Sequence, residues 1–374
     1  MTKNSRGRTA SRALSRRKVA PLSAYLHAIG TAVPTHDVHA AFIAWARAQV
    51  EPRSARLFDR MAARAGIRHR WSVLPETDGG GSPVAPGGFY DGDAHPGTAA
   101  RMRVYAQAAP ELALAAIDRL REQVSLDDLT HLVVASCTGF VAPGVDQIIA
   151  ARLGLSPSVE RLLVGFMGCY AAVAALRSAR HIVRSEPSAR VLVVTVELST
   201  LHLQQVREIE PLLAMLQFGD GAAAALVTGE PGGFHLDRPF AAALPESDHL
   251  IRWDITDQGF AMHLSGEVPG RIAAALADAA TRDATTGGVE PSAVDGWAVH
   301  AGGRSILDAV ENALSLRPEA LEHSRAVLGD YGNMSSATLM FVLQRLLAGP
   351  RVRNGVALAF GPGLAAEGFG FASA

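Results

Sequence analysis

The middle of the chain alternates short, wholly apolar segments with helical stretches, and this pattern limits the possible folds more than any other feature. His131–Ser136, Leu162–Phe166 and Arg190–Val196 have the length and the β-branched content of strands. Helical sequence begins at Val145 and near Cys169. A strand that is apolar along its whole length is typical of a sheet covered on both faces. The chain is therefore predicted to be an α/β protein.

The N-terminal part of the folded region fits this prediction. Tyr25–Ala32 is predicted to be a strand, and residues 38–64 to be helical. Thr77–Gly97 is rich in Gly, Pro and Asp, which indicates a loop. Residues 98–124 are again predicted to be helical, with a break or kink at Pro110.

The second half repeats the pattern. Strands are predicted at Gly221–Thr228, Phe234–Asp237 and Trp297–His300, and an amphipathic helix at Glu267–Ala280. A further apolar segment, Ala326–Leu328, is predicted to be a strand before a Gly-containing turn.

The order strand, Gly-containing turn, polar residue, helix is thus predicted at both Cys169 and Asn333, which indicates two related halves. Chance similarity of two helix starts is the alternative. A length of 374 residues also favours two packed halves, since single cores stop growing at roughly 250–300 residues. The predicted organisation is a disordered basic arm over residues 1–20, an N-terminal half over 21–230 and a C-terminal half over 231–374.

Composition excludes several classes of protein. Apolar residues make up 48% of the chain and charged residues 19%, which is ordinary for a soluble globular enzyme. The formal net charge of −1 argues against a nucleic-acid partner, and no segment reaches the roughly 18 apolar residues of a membrane span. Two cysteines cannot form a disulfide framework, which favours the reducing cytoplasm. No metal site is predicted.

The arm differs from the rest because it is basic and has no acidic residue. It carries Lys3, Arg6, Arg8, Arg12, Arg16, Arg17 and Lys18. A solvated tail is the simplest interpretation, and contact with polyanions or a transit-peptide role are alternatives.

Cys169 follows an apolar run and a glycine and precedes an Ala-rich stretch, so its thiol is predicted to open a buried helix. The free N–H groups and the dipole of a helix start favour thiolate over thiol. The alternative is an inert core cysteine.

Two further polar residues are predicted at similar places, His300 after a strand and Asn333 before a helix. Each alone is consistent with a structural histidine or an N-cap. Together with Cys169 they fit one chemistry, in which a thiolate attacks a thioester while imidazole and amide N–H groups stabilise an enolate or oxyanion. No carboxylate base is needed if the carbanion arises by loss of carbon dioxide.

The chain resembles the type III polyketide synthases of the chalcone and stilbene synthase family from about Pro21 to Phe371. Five motifs carry the resemblance: Val164–Ala172, Phe218–Ala223, Val299–Gly303, Gly332–Ser336 and Phe360–Gly363. The resemblance implies a thiolase-like αβαβα layered fold built from two similar halves, and a homodimer. It implies acyl-CoA and malonyl-CoA as direct substrates, with no further cofactor.

The resemblance also assigns roles. Cys169 would carry the acyl chain, His300 would pair with its thiolate, and His300 and Asn333 would stabilise the enolate of decarboxylated malonyl-CoA. Phe218 matches an aromatic gate between the CoA tunnel and the cavity, and the alternative is a core Phe. Arg53, Arg56 and Arg60 match positions that bind CoA phosphates, and the alternative is a solvated helix face.

The remaining residues that the resemblance places in the substrate pocket are Cys137, Thr138, Ser199, His202, Met262, Ser335, Gly361, Pro362 and Gly363. Met262 stands where plant members have a second Phe, which argues against chalcone as the product. A pyrone, resorcinol or naphthalene-type product is expected instead, with a fatty acyl-CoA starter. The alternatives are a ketoacyl synthase III-like initiating enzyme and a non-catalytic acyl-binding protein of the same fold.

Overall fold

A nine-stranded mixed sheet forms the centre of the protein. The computed structural model describes residues 22–92 and 94–374, so the predicted arm over residues 1–20 lies outside the described residues. The strands in chain order are β1 (Tyr25–Ala32), β2 (His36–Asp37), β3 (Trp71–Ser72), β4 (His131–Ser136), β5 (Glu160–Gly165), β6 (Arg190–Leu198), β7 (Asp220–Thr228), β8 (Phe234–Ala243), β9 (Ile251–Thr256), β10 (Gly259–Leu264), β11 (Gly296–Val299), β12 (Gly355–Gly361) and β13 (Ala365–Ser373).

The sheet has the order β11-β12-β13-β8-β1-β7-β6-β4-β5. Strands β5, β4 and β6 are mutually parallel, β11 is parallel to β12, and the other neighbours are antiparallel. Strands β1 and β8 pair only through Tyr25 and Leu26, so a short seam joins the two groups of strands. The hairpin β9–β10 and the pair β2–β3 form separate small sheets.

Helices lie on both outer faces and between the two groups of strands. They are α1 (His39–Gln49), α2 (Ala55–Arg64), α3 (Thr98–Arg121), α4 (Val145–Arg152), α5 (Ala171–Ser185), α6 (Ile209–Met215), α7 (Val268–Ala277), α8 (Ala279–Thr286), α9 (Arg304–Ala313), α10 (Glu322–Tyr331) and α11 (Ser336–Leu347). Helices α5 and α11 share one apolar core with inward residues of both strand groups. Helices α1 and α3 cover one outer face, and α7, α9 and α10 the other. The α/β prediction is confirmed, with five layers in the order α, β, α, β, α.

Three helix predictions need correction. The predicted helix over 38–64 is divided by the 3-10 turn Pro52–Ser54, because proline lacks the N–H that continues a helix. Helix α3 continues through Pro110 instead of ending there. The predicted helix Glu267–Ala280 is two helices, because Asp278 is extended and its carboxylate caps α8 at the N–H of Thr281, 2.9 Å away.

The prediction of a strand at Ala326–Leu328 is wrong, since these residues belong to α10. Ser324, Val327 and Leu328 are buried there, so the apolar segment is one face of an amphipathic helix. Three apolar residues are consistent with both the period of a strand and the period of a helix. The packing of α10 against β11 selects the helix. Within the described ranges, none of the helices is long and apolar enough to cross a membrane.

Candidate active site

Cys169 lies in a tight turn that connects β5 to α5. The chain leaves β5 with Phe166 at φ +56° and Gly168 at φ +74°, and a single 3-10 turn, Gly168–Tyr170, then leads into the helix. A Cβ on residue 168 would lie 2.4 Å from Cδ of Pro362. Glycine is therefore required before the cysteine, both by the backbone angle and by the close approach of the Pro362 ring. The thiol opens a buried helix, as predicted.

Burial, however, raises the pKa of Cys169 to about 12. Hydrogen bonds from Ser335 and Asn333 lower the pKa, and the nearby Glu197 carboxylate raises it. The expected preference for thiolate at the helix start is thus outweighed by the loss of water around the sulfur. Burial thus favours the neutral thiol over the thiolate at Cys169.

His300 follows β11 directly and is 1% exposed. Its main-chain N–H donates to the carbonyl of Leu358 at 2.8 Å, which fixes the backbone. Neither ring nitrogen has a hydrogen-bond partner among the described residues. Burial lowers the pKa of His300 to about 3, so the imidazole is neutral and both nitrogens are open to a ligand.

Asn333 follows helix α10 and not a strand, which corrects the predicted strand-to-turn position. Its main chain bridges to Phe218, with the Asn333 N–H donating to Gln217 O at 2.8 Å and Gly219 N–H to Asn333 O at 3.0 Å. The side chain is fixed as well. Nδ2 donates to Gly302 O at 3.2 Å, and Oδ1 accepts the N–H of Ser335 at 2.8 Å. The amide also hydrogen-bonds to the Cys169 thiol, which places it next to the sulfur.

A cavity of about 20 Å³ lies against the thiol. Its lining contains eight of the sequence-predicted residues: Cys137, Thr138, Cys169, Ser199, Phe218, Met262, Ser335 and Pro362. Gly168, Ile251 and Trp253 complete it. His300 and Asn333 do not line this cavity. Asn333 hydrogen-bonds to the Cys169 thiol and to the carbonyl of Gly302, and Gly302 lies against the His300 ring.

His202 lies behind this cavity as a fixed wall. Its ring stacks on Phe260 with centroids 4.2 Å apart. Nε2 lies 2.7 Å from Thr138 O, and Nδ1 accepts the N–H of Phe260 at 3.0 Å. Both nitrogens are occupied, so His202 shapes the pocket and has no ring nitrogen left for a substrate.

Gly361 and Gly363 position the backbone and not a ligand. A Cβ on Gly361 would lie 2.6 Å from Cδ1 of Tyr170 and 3.4 Å from the backbone nitrogen of Cys169. Gly363 has φ +69°, which favours glycine. Between them, Pro362 packs on Gly168 and closes one side of the cavity.

Two residues that the sequence analysis missed complete the site. Glu197 in β6 is fully buried and accepts the N–H of Cys137 at 3.0 Å and the hydroxyl of Thr138 at 2.9 Å. Burial raises its pKa to about 7. Trp253 in β9 donates its indole N–H to Cys137 O at 3.0 Å. A lone glutamate inside the apolar run Arg190–Leu198 was the signal available for Glu197, and no sequence pattern indicates a role for Trp253.

A larger cavity of about 350 Å³ opens outside Phe218. It lies between α2, α6 and α9 and is lined by Met61, Arg64, Ala65, Leu213, Gln217, Arg304, Ser305 and Asp308. Gln217 lines this outer cavity, and the next residue, Phe218, lines the inner one. Arg53, Arg56 and Arg60 are exposed near or on α2 but do not line the outer cavity, and Arg53 pairs with Glu51 at 2.7 Å.

Comparison with solved structures identifies the class of fold. The structure of PKS-I from the brown alga Ectocarpus siliculosus aligns with a TM-score of 0.85 and 28% identity, over 96% of this chain and 100% of that one. The 1,3,6,8-tetrahydroxynaphthalene synthase of Streptomyces coelicolor A3(2) aligns with a TM-score of 0.83 and 28% identity, over 93% and 99%. The fold is the thiolase-like fold of type III polyketide synthases.

Comparison with models of protein families identifies the family as well as the fold. The chalcone and stilbene synthase N-terminal domain matches residues 11–231, and the C-terminal domain of the same enzymes matches residues 236–374. The chain therefore belongs to the chalcone and stilbene synthase family of type III polyketide synthases, whose members are condensing acyltransferases.

Two curated relatives illustrate the range of the family. The alpha-pyrone synthesis polyketide synthase-like Pks18 of Mycobacterium tuberculosis is 36% identical over 251 residues, which is 64% of each chain. The match thus spans less than two thirds of that relative's length. Bisdemethoxycurcumin synthase of Oryza sativa subsp. japonica is 35% identical over 335 residues, 83% of this chain and 81% of that protein.

Proposed function

We propose that this protein condenses an acyl-CoA starter with malonyl-CoA and cyclises the product to a pyrone, resorcinol or related polyketide. The observation that carries the proposal is a chain of contacts: the Asn333 amide hydrogen-bonds to the Cys169 thiol and to Gly302, and Gly302 lies against the ring of His300, whose two nitrogens have no partner among the described residues. No cofactor is needed for the steps below.

The first step loads the starter. As the Cys169 sulfur attacks the thioester carbonyl, the thiol proton moves to His300, the carbonyl becomes an oxyanion, and CoA leaves with the proton from the imidazolium. Because burial disfavours charge on Cys169 and on His300 alike, the proton transfer accompanies the attack and does not precede it.

The second step makes the nucleophile from malonyl-CoA. The bond to the carboxylate breaks, carbon dioxide leaves, and the electron pair passes to the thioester as an enolate. Nδ2–H of Asn333 and an N–H of His300 donate to the enolate oxygen. The enolate carbon then attacks the acyl-Cys169 thioester, the Cys169 thiolate leaves, and a β-ketoacyl-CoA results. Asn333 suits this role because Gly302 O and Ser335 N–H already fix its amide.

CoA is proposed to bind in the outer cavity. Arg64 and Arg304 line it and can contact phosphates, for which the guanidinium group is well shaped. The contacts of Arg53, Arg56 and Arg60 with CoA stay a prediction from the resemblance. These side chains are exposed and do not line the outer cavity, so they would contact CoA outside it. Phe218 would separate the nucleotide from the acyl cavity.

The size of the inner cavity bears on the starter. About 20 Å³ beside Cys169 does not hold a fatty acyl chain, since pockets for ligands of that size are typically several hundred Å³. A fatty acyl-CoA starter therefore requires Trp253 and the flexible Met262 to move. Replacing Trp253 with Ala should increase the rate with decanoyl-CoA relative to butyryl-CoA. An unchanged ratio would show that Trp253 does not limit chain length.

A homodimer is proposed on the free edge of the sheet. Strand β5 is the last in the order and pairs only with β4. Leu162 and Leu163 on this strand are 42% and 45% exposed, and Phe140, whose ring centroid is 5.5 Å from that of Phe166 just after the strand, is 47% exposed. An apolar edge strand is a template for pairing with another strand. Leu163→Lys should shift the mass measured by light scattering from dimer to monomer, and a wild-type monomer would contradict the proposal.

One assay tests the function against its alternatives. Purified protein is incubated with an acyl-CoA panel and labelled malonyl-CoA, and products are identified by mass spectrometry. Labelled polyketide from free malonyl-CoA supports the proposal. A requirement for malonyl-acyl carrier protein would indicate a ketoacyl synthase III-like enzyme. Binding without reaction would indicate an acyl-binding protein.

A cytoplasmic location is proposed as well. The reaction needs a reduced Cys169, and both cysteines are free thiols, which is consistent with a reducing compartment.

A further inference from the structure

A second cavity of about 20 Å³ adjoins the cavity at Cys169. The two share Ser199, Phe218, Trp253 and Met262, so a ligand that passes these side chains moves from one to the other. Cys169 does not line the second cavity, which lies farther along the acyl path. Its remaining walls are Phe42, Arg70, Thr200, His202, Leu203, Met215 and Phe260. Most are apolar, and a buried arginine among them is unexpected.

Arg70 is 1% exposed and its guanidinium group is only partly used. Nε donates to Nδ1 of His39 at 2.9 Å, and Nη1 donates to the carbonyl of Phe218 at 3.2 Å. Nη2 has no hydrogen-bond partner in the described part of the chain, and the same holds for Oγ of Ser199. A buried donor without a partner is costly, so two such groups on one cavity indicate a ligand that accepts from them.

The other polar groups of this cavity are already occupied. Both ring nitrogens of His202 have partners. Oγ1 of Thr200 lies 2.7 Å from Oγ of Ser72 and donates to the carboxylate of Asp220 at 2.7 Å. Arg70 and Ser199 are therefore the polar side chains of this lining that remain available to a substrate.

The charge of Arg70 is not neutralised by a carboxylate hydrogen bond among the described residues. Asp220 accepts from Val73 and Thr200 instead. Asp37 accepts the main-chain N–H of Arg70 and a ring nitrogen of His69, not the guanidinium. Burial also raises the pKa of Asp220 to about 7, so its negative charge offsets the guanidinium only in part near neutrality. The cavity is thus suited to an anionic or strongly accepting group.

We propose that Nη2 of Arg70 and Oγ of Ser199 form the distal end of the acyl site and bind an oxygen at the far end of the starter, a carboxylate above all. The proposal rests on the function proposed above and narrows its substrate to an acyl-CoA with an oxygen-bearing terminus. A starter that ends in a methyl group leaves both donors unpaired. A terminal carboxylate accepts from both while its thioester reacts at Cys169.

Starters of equal chain length test this directly. Adipoyl-CoA, 6-hydroxyhexanoyl-CoA and hexanoyl-CoA are compared by the rate at which each acylates Cys169, followed by intact-protein mass spectrometry without malonyl-CoA. A charge-assisted hydrogen bond predicts that adipoyl-CoA reacts about ten- to a hundredfold faster than hexanoyl-CoA at subsaturating concentration. The comparison is repeated with four- and eight-carbon pairs to find the best length. Equal or faster reaction of the methyl-terminated starter at every length would overturn the proposal.

Variants locate the effect. Ser199→Ala should reduce the preference for adipoyl-CoA about fivefold, and Arg70→Met should abolish it. Because Arg70 is buried, thermal unfolding is recorded for each variant. If Arg70→Met does not fold, the result for Ser199→Ala alone tests the proposal. Thr195→Val is the matched control, since Oγ1 of Thr195 is also buried without a partner but does not line the cavity. A preference that survives Ser199→Ala unchanged, or that falls equally in Thr195→Val, contradicts the assignment.

The two proposals fail in different ways. If hexanoyl-CoA loads and is extended as well as adipoyl-CoA, the enzyme is a polyketide synthase without a distal oxygen site. If no acyl-CoA loads Cys169 at any length, the proposed function itself is wrong.

Discussion

Replacing Asn333 with alanine should separate the two chemical steps of the proposed reaction. The substitution removes the side-chain amide that is proposed to donate to the enolate, and losing one such donor typically costs about 10²–10³ in rate. Decarboxylation of malonyl-CoA should fall by that factor. Loading of the starter depends on Cys169 and His300, so it should fall by less than about tenfold.

The same substitution has a cost in stability that can be worked from its contacts. The carbonyl of Gly302, 3.2 Å from Nδ2, and the N–H of Ser335, 2.8 Å from Oδ1, each lose a partner. A buried group without a partner costs about 1–3 kcal/mol, so the loss of two partners should lower the free energy of unfolding by about 2–6 kcal/mol. Thr228→Val is a matched control. It removes a buried hydroxyl that accepts the N–H of Glu230 at 3.2 Å and lies 2.7 Å from Nε2 of His27, and it lines neither the cavity at Cys169 nor the outer cavity.

The assay measures both steps on the same preparations. Carbon dioxide release from labelled malonyl-CoA reports decarboxylation, intact mass reports loading, and denaturant unfolding reports stability. Thr228→Val should lose stability but keep decarboxylation within about threefold. If Asn333→Ala loses loading and keeps decarboxylation, or if both variants lose decarboxylation equally, Asn333 does not act on the enolate.

Three further predictions concern charge. First, Arg64→Ala with Arg304→Ala should raise KM for CoA substrates more than it lowers kcat, with Arg119→Ala as the exposed control. Equal damage with N-acetylcysteamine thioesters, which lack phosphates, would refute the CoA role. Second, the pKa of Glu197 is raised to about 7, so the folded state binds more protons than the unfolded state and the free energy of unfolding should fall as pH rises from about 4.5 to 7. Glu197→Gln should flatten this dependence of stability on pH, and an unchanged dependence would contradict the raised pKa. Third, with the pKa of Cys169 near 12, inactivation by iodoacetamide should keep accelerating above pH 9, and a plateau below pH 7 would instead indicate a preformed thiolate–imidazolium pair.

Much of the fold could be predicted because local signals agreed with packing. Strands β1 and β4 have the predicted bounds, since each is an apolar run between turn residues. The α10 segment was misassigned because its apolar residues are too few to distinguish a period of 2 from one of 3.6. The hairpin β9–β10 was missed because its residues Arg252, Asp254 and His263 are polar and give no apolar run.

The candidate site was predictable where a residue stands in a distinctive local sequence, as Cys169 does after Gly168. It was not predictable where the role of a residue depends on contacts between distant parts of the chain. Nothing near Trp253 in the sequence indicates that its indole reaches Cys137, 116 positions away. The pKa of Cys169 was expected to be low from its helix start, but the closed cavity removes water and reverses the direction.

The most direct test of the account is the mass of the protein itself during turnover. Wild-type protein given a starter acyl-CoA and malonyl-CoA should gain the mass of the acyl group on the peptide that contains Cys169, lose it as malonyl-CoA is consumed, and release a labelled polyketide. Cys169→Ala should acquire no acyl group and form no polyketide. Polyketide formed by Cys169→Ala, or an acyl group found on Cys137 instead, would contradict the central claim that Cys169 is the nucleophile.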